Sequence, residues 1–284
     1  SSFTHPNPMA KSVFQLSCPP IPVVRIALIG LGQRGMKTLE RYAFIEGAEI
    51  RYIADLDTER LLIANQALRS SGRPEAQQLT GEEGWKEACR KADVDLIYIC
   101  TEWTTHTQMA VESMECGKHV AVEVPAATTL SECWQLVHTA EATQRHCFMT
   151  ENCCYDLFAL ETLEMHRRGD FGTITHCEGA YIHNLASYGN NGQFSSETHR
   201  HVQLTDTRLY WLEHSCCQHG GNPYPTHGIG PIAQLLGFHR HDRMVSLVSL
   251  TAQGVSNEQG EAIGKVNTSL IRTAQGVTSY FNST

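Results

Sequence analysis

The chain has no apolar stretch approaching membrane-spanning length, which argues against a transmembrane helix. It also has no basic run. With a net charge of −8 and a pI near 6.0 it is a poor match for a nucleic-acid surface. Its eleven cysteines show no spacing of a disulfide scaffold, and a chain of 284 residues needs none. Reduced thiols are expected, with those in apolar runs, such as Cys100, acting as small hydrophobes. Internal repeats and low-complexity segments are missing too. Residues 1–22 carry neither the charged nor the apolar region of a signal peptide. They are rich in Pro, Ser and Asn and read as an arm or tail, leaving cytoplasmic and periplasmic locations both open. The length suits two domains rather than one core.

What is present is organised around Val23–Gly35, V-V-R-I-A-L-I-G-L-G-Q-R-G. The β-branched apolar run reads as a strand buried on both faces of a parallel sheet. Gly30, Gly32 and Gly35 then supply G-x-G-x-x-G where strand should turn into helix. The first glycine allows the tight turn, the second lets backbone approach a pyrophosphate, and the third lets the helix pack closely. A helix N-terminus there offers unpaired N–H groups and a positive dipole end to phosphates. A second strand, Glu49–Leu56, follows, and Asp55 lies about 20 residues past the last glycine, where an acid accepts the ribose hydroxyls of NAD and repels the extra phosphate of NADP. NAD is the expected cofactor.

The next elements alternate. Helices are predicted over Gln33–Phe44, Thr58–Leu68, Thr105–Cys116 and Leu130–Thr143, the last opened by a capping box of Thr129 and Glu132. Strands are predicted over Val94–Cys100, His119–Val124 and Cys147–Thr150. This is the rhythm of a Rossmann-type, doubly wound parallel sheet, assigned to residues 22–150. Beyond Glu151 the rhythm changes. One helix, Leu157–Arg168, precedes strands at Thr173–His183, Met244–Ala252, Gly264–Arg272 and Gly276–Asn282, the last two joined as a hairpin. Residues 151–284 are therefore read as an α+β substrate or oligomerisation domain on an open antiparallel sheet.

This order resembles the glucose–fructose oxidoreductase and inositol dehydrogenase (Gfo/Idh/MocA) family. The resemblance rests on G-L-G-Q-R-G at Gly30–Gly35, the acid Asp55, C-T-E-W-T-T-H at Cys100–His106, and G-K-H-V-A-V-E-V-P at Gly117–Pro125. It makes Gly30, Gly32, Gln33, Arg34, Gly35, Asp55, Thr101, His106 and Glu123 the candidate cofactor residues. His106 is placed in the loop after a parallel strand, where ligands gather. Dehydrogenases of the family usually carry Glu-Lys-Pro where this chain has Glu123-Val124-Pro125, and valine moves no proton. Three further stretches, M-T-E-N-C-C-Y at Met149–Tyr155, G-A-Y-I-H-N at Gly179–Asn184 and G-N-P-Y-P-T-H-G-I-G-P at Gly221–Pro231, look like the NAD-dependent glycosidases of glycoside hydrolase family 109.

That resemblance implies glycosidic cleavage by a redox route. NAD takes a hydride from C3 of a sugar, the C2 proton is lost, the C1 group leaves, water adds, and the hydride returns. The expected substrate is a terminal sugar such as an N-acetylhexosamine. No pair of flanking carboxylates is needed, but well-placed acids and bases are. The matching positions are Glu151, Tyr181, His183, Tyr224 and His227. Tyr181 is assigned as the base at C2 and His227 as the group handling the C3 hydroxyl proton. Glu151, Tyr224 and His183 then orient hydroxyls or tune those two. Taken singly, each reads as readily as a structural tyrosine, histidine or solvated carboxylate; their joint order makes them candidates. Two other readings stand beside this one: a plain NAD-dependent sugar or polyol dehydrogenase, and a non-catalytic sugar or dinucleotide sensor. No metal is expected. The cluster His214, Cys216, Cys217 and His219, with His199 and His201, lacks the paired spacing of a tetrahedral site. The resemblance further implies a chain that continues past Thr284, and exposed sheet edges that a second copy would cover in a homo-oligomer.

Overall fold

The computed structural model of the protein describes residues 11–182, 222, 224–252, 255–256, 262–263 and 266–283. The chain falls into two compact units that divide between Thr150 and Glu151.

The first unit is a six-stranded parallel sheet of β1 (Val24–Ile29), β2 (Ala48–Asp55), β3 (Gln77–Thr80), β4 (Leu96–Ile99), β5 (His119–Val122) and β6 (Cys147–Met149). Its spatial order is β3-β2-β1-β4-β5-β6, the doubly wound order whose direction reverses between β1 and β4. Helices α1 (Gln33–Tyr42), α2 (Thr58–Ser70), α3 (Gly84–Arg90), α4 (Trp103–Glu115) and α5 (Leu130–Thr143) connect the strands. Successive strand residues supply opposite faces, as the period of two requires. Ala27, Ile29, Tyr52, Ala54, Ile97, Ile99, Val120 and Val122 enter one buried cluster with Met109, Ala110 and Met114 of α4. Leu28 and Ile53 enter a second with Leu39 of α1 and Leu61 and Leu68 of α2. The expected capping box is present at α5, with Thr129 and Glu132 bonding reciprocally. The sequence reading left β3 and α3 unassigned. Q-Q-L-T buries only Leu79 along an edge strand, and α3 is too short to display a helical period.

The second unit opens with a 3₁₀ turn, Asn152–Tyr155, and α6 (Leu157–Arg168). Its four-stranded sheet contains β7 (His176–Tyr181), β8 (Met244–Thr251), β11 (Asn267–Thr273) and β12 (Thr278–Ser283), in the order β7-β12-β11-β8. A small pair, β9 (Val255–Ser256) with β10 (Ala262–Ile263), stands beside it in sequence. The pairs β8–β11 and β11–β12 are antiparallel, and β11–β12 is the expected hairpin. The β7–β12 pair is parallel, so the sheet is mixed where an antiparallel one was expected. A crossover that contains a helix separates β7 from its partner, and such connections permit parallel pairing. That helix is α7 (Pro225–Leu236). It lies on β7 and β12 at a distance only glycine allows. A Cβ on Gly179 would sit 2.7 Å from the Gly228 carbonyl oxygen, and one on Gly228 would sit 2.0 Å from the Phe281 ring. No helix among the described residues is long and apolar enough to cross a membrane.

Candidate active site

The glycine loop gives each glycine a separate physical reason. Gly30 has φ +88, and a Cβ there would lie 2.7 Å from the Cys100 carbonyl. Gly35 packs against the loop itself, since its Cβ would fall 1.9 Å from the Gly30 oxygen. Gly32 differs: a Cβ there would meet nothing within 4 Å. The fold therefore does not require glycine at 32, whereas a phosphate group approaching the backbone would. Gly32 is also the N-cap of α1, so Gln33 and Arg34 form its first turn, where N–H groups lack helical partners.

Asp55 ends β2 beside this loop. One carboxylate oxygen accepts from Leu31 N at 2.6 Å and the other from Asp57 N at 2.9 Å. It clamps the loop and keeps acceptor capacity for further donors, because an ionised carboxylate offers about four lone-pair sites. Arg60 Nη1 stands 3.6 Å from Asp55, a cation beside the acid that sequence reasoning did not weigh. Arg34 Nε stands 3.6 Å from the carboxylate of buried Glu123, which also accepts from Tyr98 Oη at 3.4 Å. The strand-end candidates Thr101 and Glu123 thus sit at the ends of β4 and β5, where ligands of doubly wound sheets gather.

His106 needs correction. It lies inside α4 rather than in the preceding loop, is fully buried, and has its two ring nitrogens 2.8 Å from the Pro125 carbonyl and 3.0 Å from that of Thr101, to one of which the neutral ring donates. A ring with no exposed surface cannot touch a cofactor. It holds the β4 and β5 loop ends in register instead. Burial pushes its pKa down, against the pull of those two carbonyls.

In the second unit, four of the five candidate side chains come together. Glu151 caps the 3₁₀ turn, accepting from Cys153 N at 3.0 Å. The same oxygen receives His227 Nδ1 at 2.6 Å, and both residues are only 6% exposed. A carboxylate at Nδ1 fixes the proton there and leaves Nε2 as the basic nitrogen. The Tyr181 ring lies 4.3 Å from the His227 ring, and Tyr224 stacks on the same imidazole at 5.4 Å and 12°. The Glu151 carboxyl is held below its ordinary range. Burial alone would raise it, but the His227 ring, the nearby Thr226 hydroxyl and the Cys153 N–H outweigh burial. Among the described residues, its second oxygen, Oε2, and Thr226 Oγ1 are buried without a hydrogen bond of ordinary geometry.

The helix explains the local sequence. Pro225 occupies the first turn of α7, where its missing N–H costs nothing, and His227 follows within that turn. Gly230 sits where a Cβ would press on Cys154 Sγ and Glu151 Cγ, both at 2.9 Å. Gly230, one turn on from His227, therefore keeps that helix face bare so that His227 reaches Glu151. Cys153 was not foreseen as part of this cluster, although its place two residues after Glu151 was the available signal. His183, His199, His201, His214, Cys216, Cys217 and His219 lie outside the described residues.

A doubly wound sheet with a glycine loop at its first turn defines a dinucleotide-binding oxidoreductase scaffold. Residues 24–151 match the model of the oxidoreductase family with an NAD-binding Rossmann fold, so the cofactor class is a nicotinamide dinucleotide. The chain is 18% identical to levoglucosan dehydrogenase solved with NADH and levoglucosan, with a TM-score of 0.71 over 92% of this chain and 66% of that one. Residues 155–279 match the glycosyl hydrolase 109 C-terminal domain. The chain is 48% identical to an alpha-N-acetylgalactosaminidase of Bacteroides fragilis, over 95% of this chain and 65% of that protein. It is 47% identical to glycosyl hydrolase family 109 protein 2 of Phocaeicola vulgatus, over 94% and 66%. The chain belongs to glycosyl hydrolase family 109, within the Gfo/Idh/MocA oxidoreductases, and spans about two thirds of the length of these relatives.

Proposed function

We propose that the protein is an NAD-dependent glycosidase that removes a terminal N-acetylhexosamine, in the α-N-acetylgalactosamine class, without net oxidation. The observation that carries this is the buried Glu151–His227 pair with Tyr181 against the imidazole. Three residues would hold the dinucleotide: Gly32 at the open face of the loop, Gln33 at the helix N-terminus and Asp55 beside it. When bound, that group supplies reversible two-electron exchange with a hydroxyl-bearing sugar carbon.

The protein's own part is proton handling. His227 Nε2 takes the proton of the sugar C3 hydroxyl, and Glu151 steadies the charge that appears on the ring. That charge stands beside Tyr181 and favours its ionised form; the phenolate oxygen, its own proton released to solvent beforehand, then removes the C2 proton. Expulsion of the C1 group follows from the loss of that proton. Returning water and the C3 proton reverses the two transfers, so both groups end as they began. Tyr224, stacked on His227, fixes the ring plane. NAD is favoured over NADP by the carboxylate of Asp55, which the Arg60 guanidinium partly offsets.

The test is release of nitrophenol from nitrophenyl N-acetyl-α-galactosaminide with and without NAD⁺, with absorbance followed for NADH. Cleavage that needs NAD⁺ and accumulates no NADH supports the reading. NADH accumulating on free sugars or polyols without cleavage would replace it with a dehydrogenase. Val124, buried where dehydrogenases of the family carry lysine, speaks against that outcome. Binding of both ligands without turnover, unchanged in Tyr181→Phe, would make the protein a sensor.

A further inference from the structure

The Glu151–His227 pair has a third neighbour that proton handling does not use. One donor atom each of Glu151, Cys153 and His227 lies within 4.8 Å of the others. We infer that these three side chains form a site for a thiophilic divalent cation of the zinc class, and that its occupation silences the proton relay.

The donor set is oxygen, sulfur and nitrogen, which suits zinc or cadmium and discriminates against magnesium and calcium, whose sites are built from oxygens. Three protein ligands with a fourth position open is the form that zinc takes in accessible sites. Donors around a tetrahedral zinc stand about 3–4 Å apart, given bonds of about 2.0–2.3 Å. The 2.6 Å His227–Glu151 contact would therefore open slightly while the sulfur draws in. The cluster is more than a cysteine beside an acid. Glu151 is 94% removed from solvent, and among the described residues its Oε2 makes no hydrogen bond of ordinary geometry, which leaves a desolvated acceptor for a cation. The half-buried Cys153 is anchored by the same carboxylate through its own N–H.

The proton count is definite. Whichever imidazole nitrogen binds the ion, the other keeps the single ring proton, so the ring releases none. Glu151 is already ionised. The only proton to leave is that of the Cys153 thiol, because the thiolate rather than the thiol binds a metal ion. Binding therefore releases one proton per ion and strengthens about tenfold per pH unit across the neutral range.

The inhibitory half of this inference rests on the proposed proton handling by His227; the binding half does not. The full chain is titrated with Co²⁺ as a spectroscopic stand-in and with Zn²⁺ by calorimetry, in buffers of different ionisation enthalpy. One tight site with a thiolate-to-cobalt charge-transfer band, one proton released, and at least a tenfold loss in both Cys153→Ser and His227→Ala supports the site. A Cys154→Ser control should keep the band. Retained dinucleotide binding in each variant shows that the first unit is folded, and Cys153→Ala provides a second removal of the sulfur if Cys153→Ser is unstable. Absence of the band, or a band indifferent to Cys153, overturns the site and leaves the glycosidase reading intact. Zn²⁺ bound at this site without slowing cleavage overturns the inhibitory half and removes His227 from the proposed chemistry. Should the protein cleave no glycoside at all, the glycosidase reading fails while the cobalt spectrum still decides the metal site.

Discussion

The two units distribute burial in opposite ways. In the first, the strands of the parallel sheet are almost fully sealed by helices: Ile53, Ile97, Ile99, Val120 and Val122 have no measurable exposure. In the second, β8 leaves Leu247, Val248 and Leu250 between 53% and 69% exposed, and α6 buries no residue at all. Yet the second unit buries Glu151 and His227, two groups whose desolvation is costly unless they are paired. Its tight packing is spent under α7, where Gly179, Gly228 and Gly230 let polar side chains meet. The first unit is a scaffold that would hold its shape without a ligand. The second concentrates its order around the site proposed for proton transfer. Removing a group from one should therefore spare the other.

The largest effect is expected from His227→Ala. Loss of a positioned general base lowers kcat by about 10²–10⁴-fold, while dinucleotide affinity stays within about twofold. Glu151→Gln should lose less, because the amide still orients the ring but no longer steadies its charge. Cofactor titration beside glycoside cleavage checks both. A matching collapse of dinucleotide binding in His227→Ala would show that the units are not separable in this way.

The glycines sharpen the same contrast. Gly228→Ala places a methyl 2.0 Å from the Phe281 ring, and overpacking of this kind costs about 1–3 kcal/mol. The second unit should unfold at lower denaturant while the first binds dinucleotide as before. Gly32→Ala meets open space, so stability should change by under about 1 kcal/mol. Dinucleotide affinity should nonetheless fall at least tenfold as the methyl takes the phosphate's place. Equal stability loss in the two variants would refute the distinction between a packing glycine and a binding one.

Much of this was legible in the sequence. The glycine loop, Asp55 and the alternation from β1 to β6 follow from short-range rules, because a parallel sheet buries continuous apolar runs and turns through glycine. The capping box at α5 and the hairpin at Thr273–Gly276 are local chemistry and were read from local residues. The parallel pairing of β7 with β12 was not, since a register between segments about 100 residues apart leaves no mark on either one. Nor was the burial of His106, whose ring ties two loops that approach only in three dimensions. In the site, Glu151, Tyr181, Tyr224 and His227 were reached through motif resemblance, whereas Cys153 and the packing role of Gly230 emerge only when α7 is laid on the 3₁₀ turn.

A smaller effect is expected from Arg60→Ala. Arg60 stands in the first turn of α2, where the helix dipole disfavours a cation, and is held there by Asp55 and Asp57 at 3.6 Å each. Removing it exposes the full repulsion of Asp55 toward a 2′-phosphate. The ratio of NADP⁺ to NAD⁺ dissociation constants should rise about two- to fivefold, the scale of a partly exposed charge pair. An unchanged ratio would place Arg60 outside the ribose site.

The smallest effect concerns pH and belongs to the first unit. His119 Nδ1 accepts the backbone N–H of His146 at 3.1 Å, holding β5 to the start of β6. Burial, the His146 ring and the Arg145 charge hold the His119 pKa below its ordinary 6.5, and burial does the same for His106. Both groups are thus more readily protonated in the unfolded chain than in the folded one. Their contribution is complete above about pH 6.5 and is lost as pH falls below it, because the unfolded state then binds more protons. Protonation at His119 also turns its acceptor into a donor facing another donor. Denaturant midpoints of the first unit, followed between pH 7.5 and 5.5, should fall on the acid side, and His119→Gln should flatten part of that slope. A slope untouched by His119→Gln would assign the acid sensitivity to groups other than this histidine.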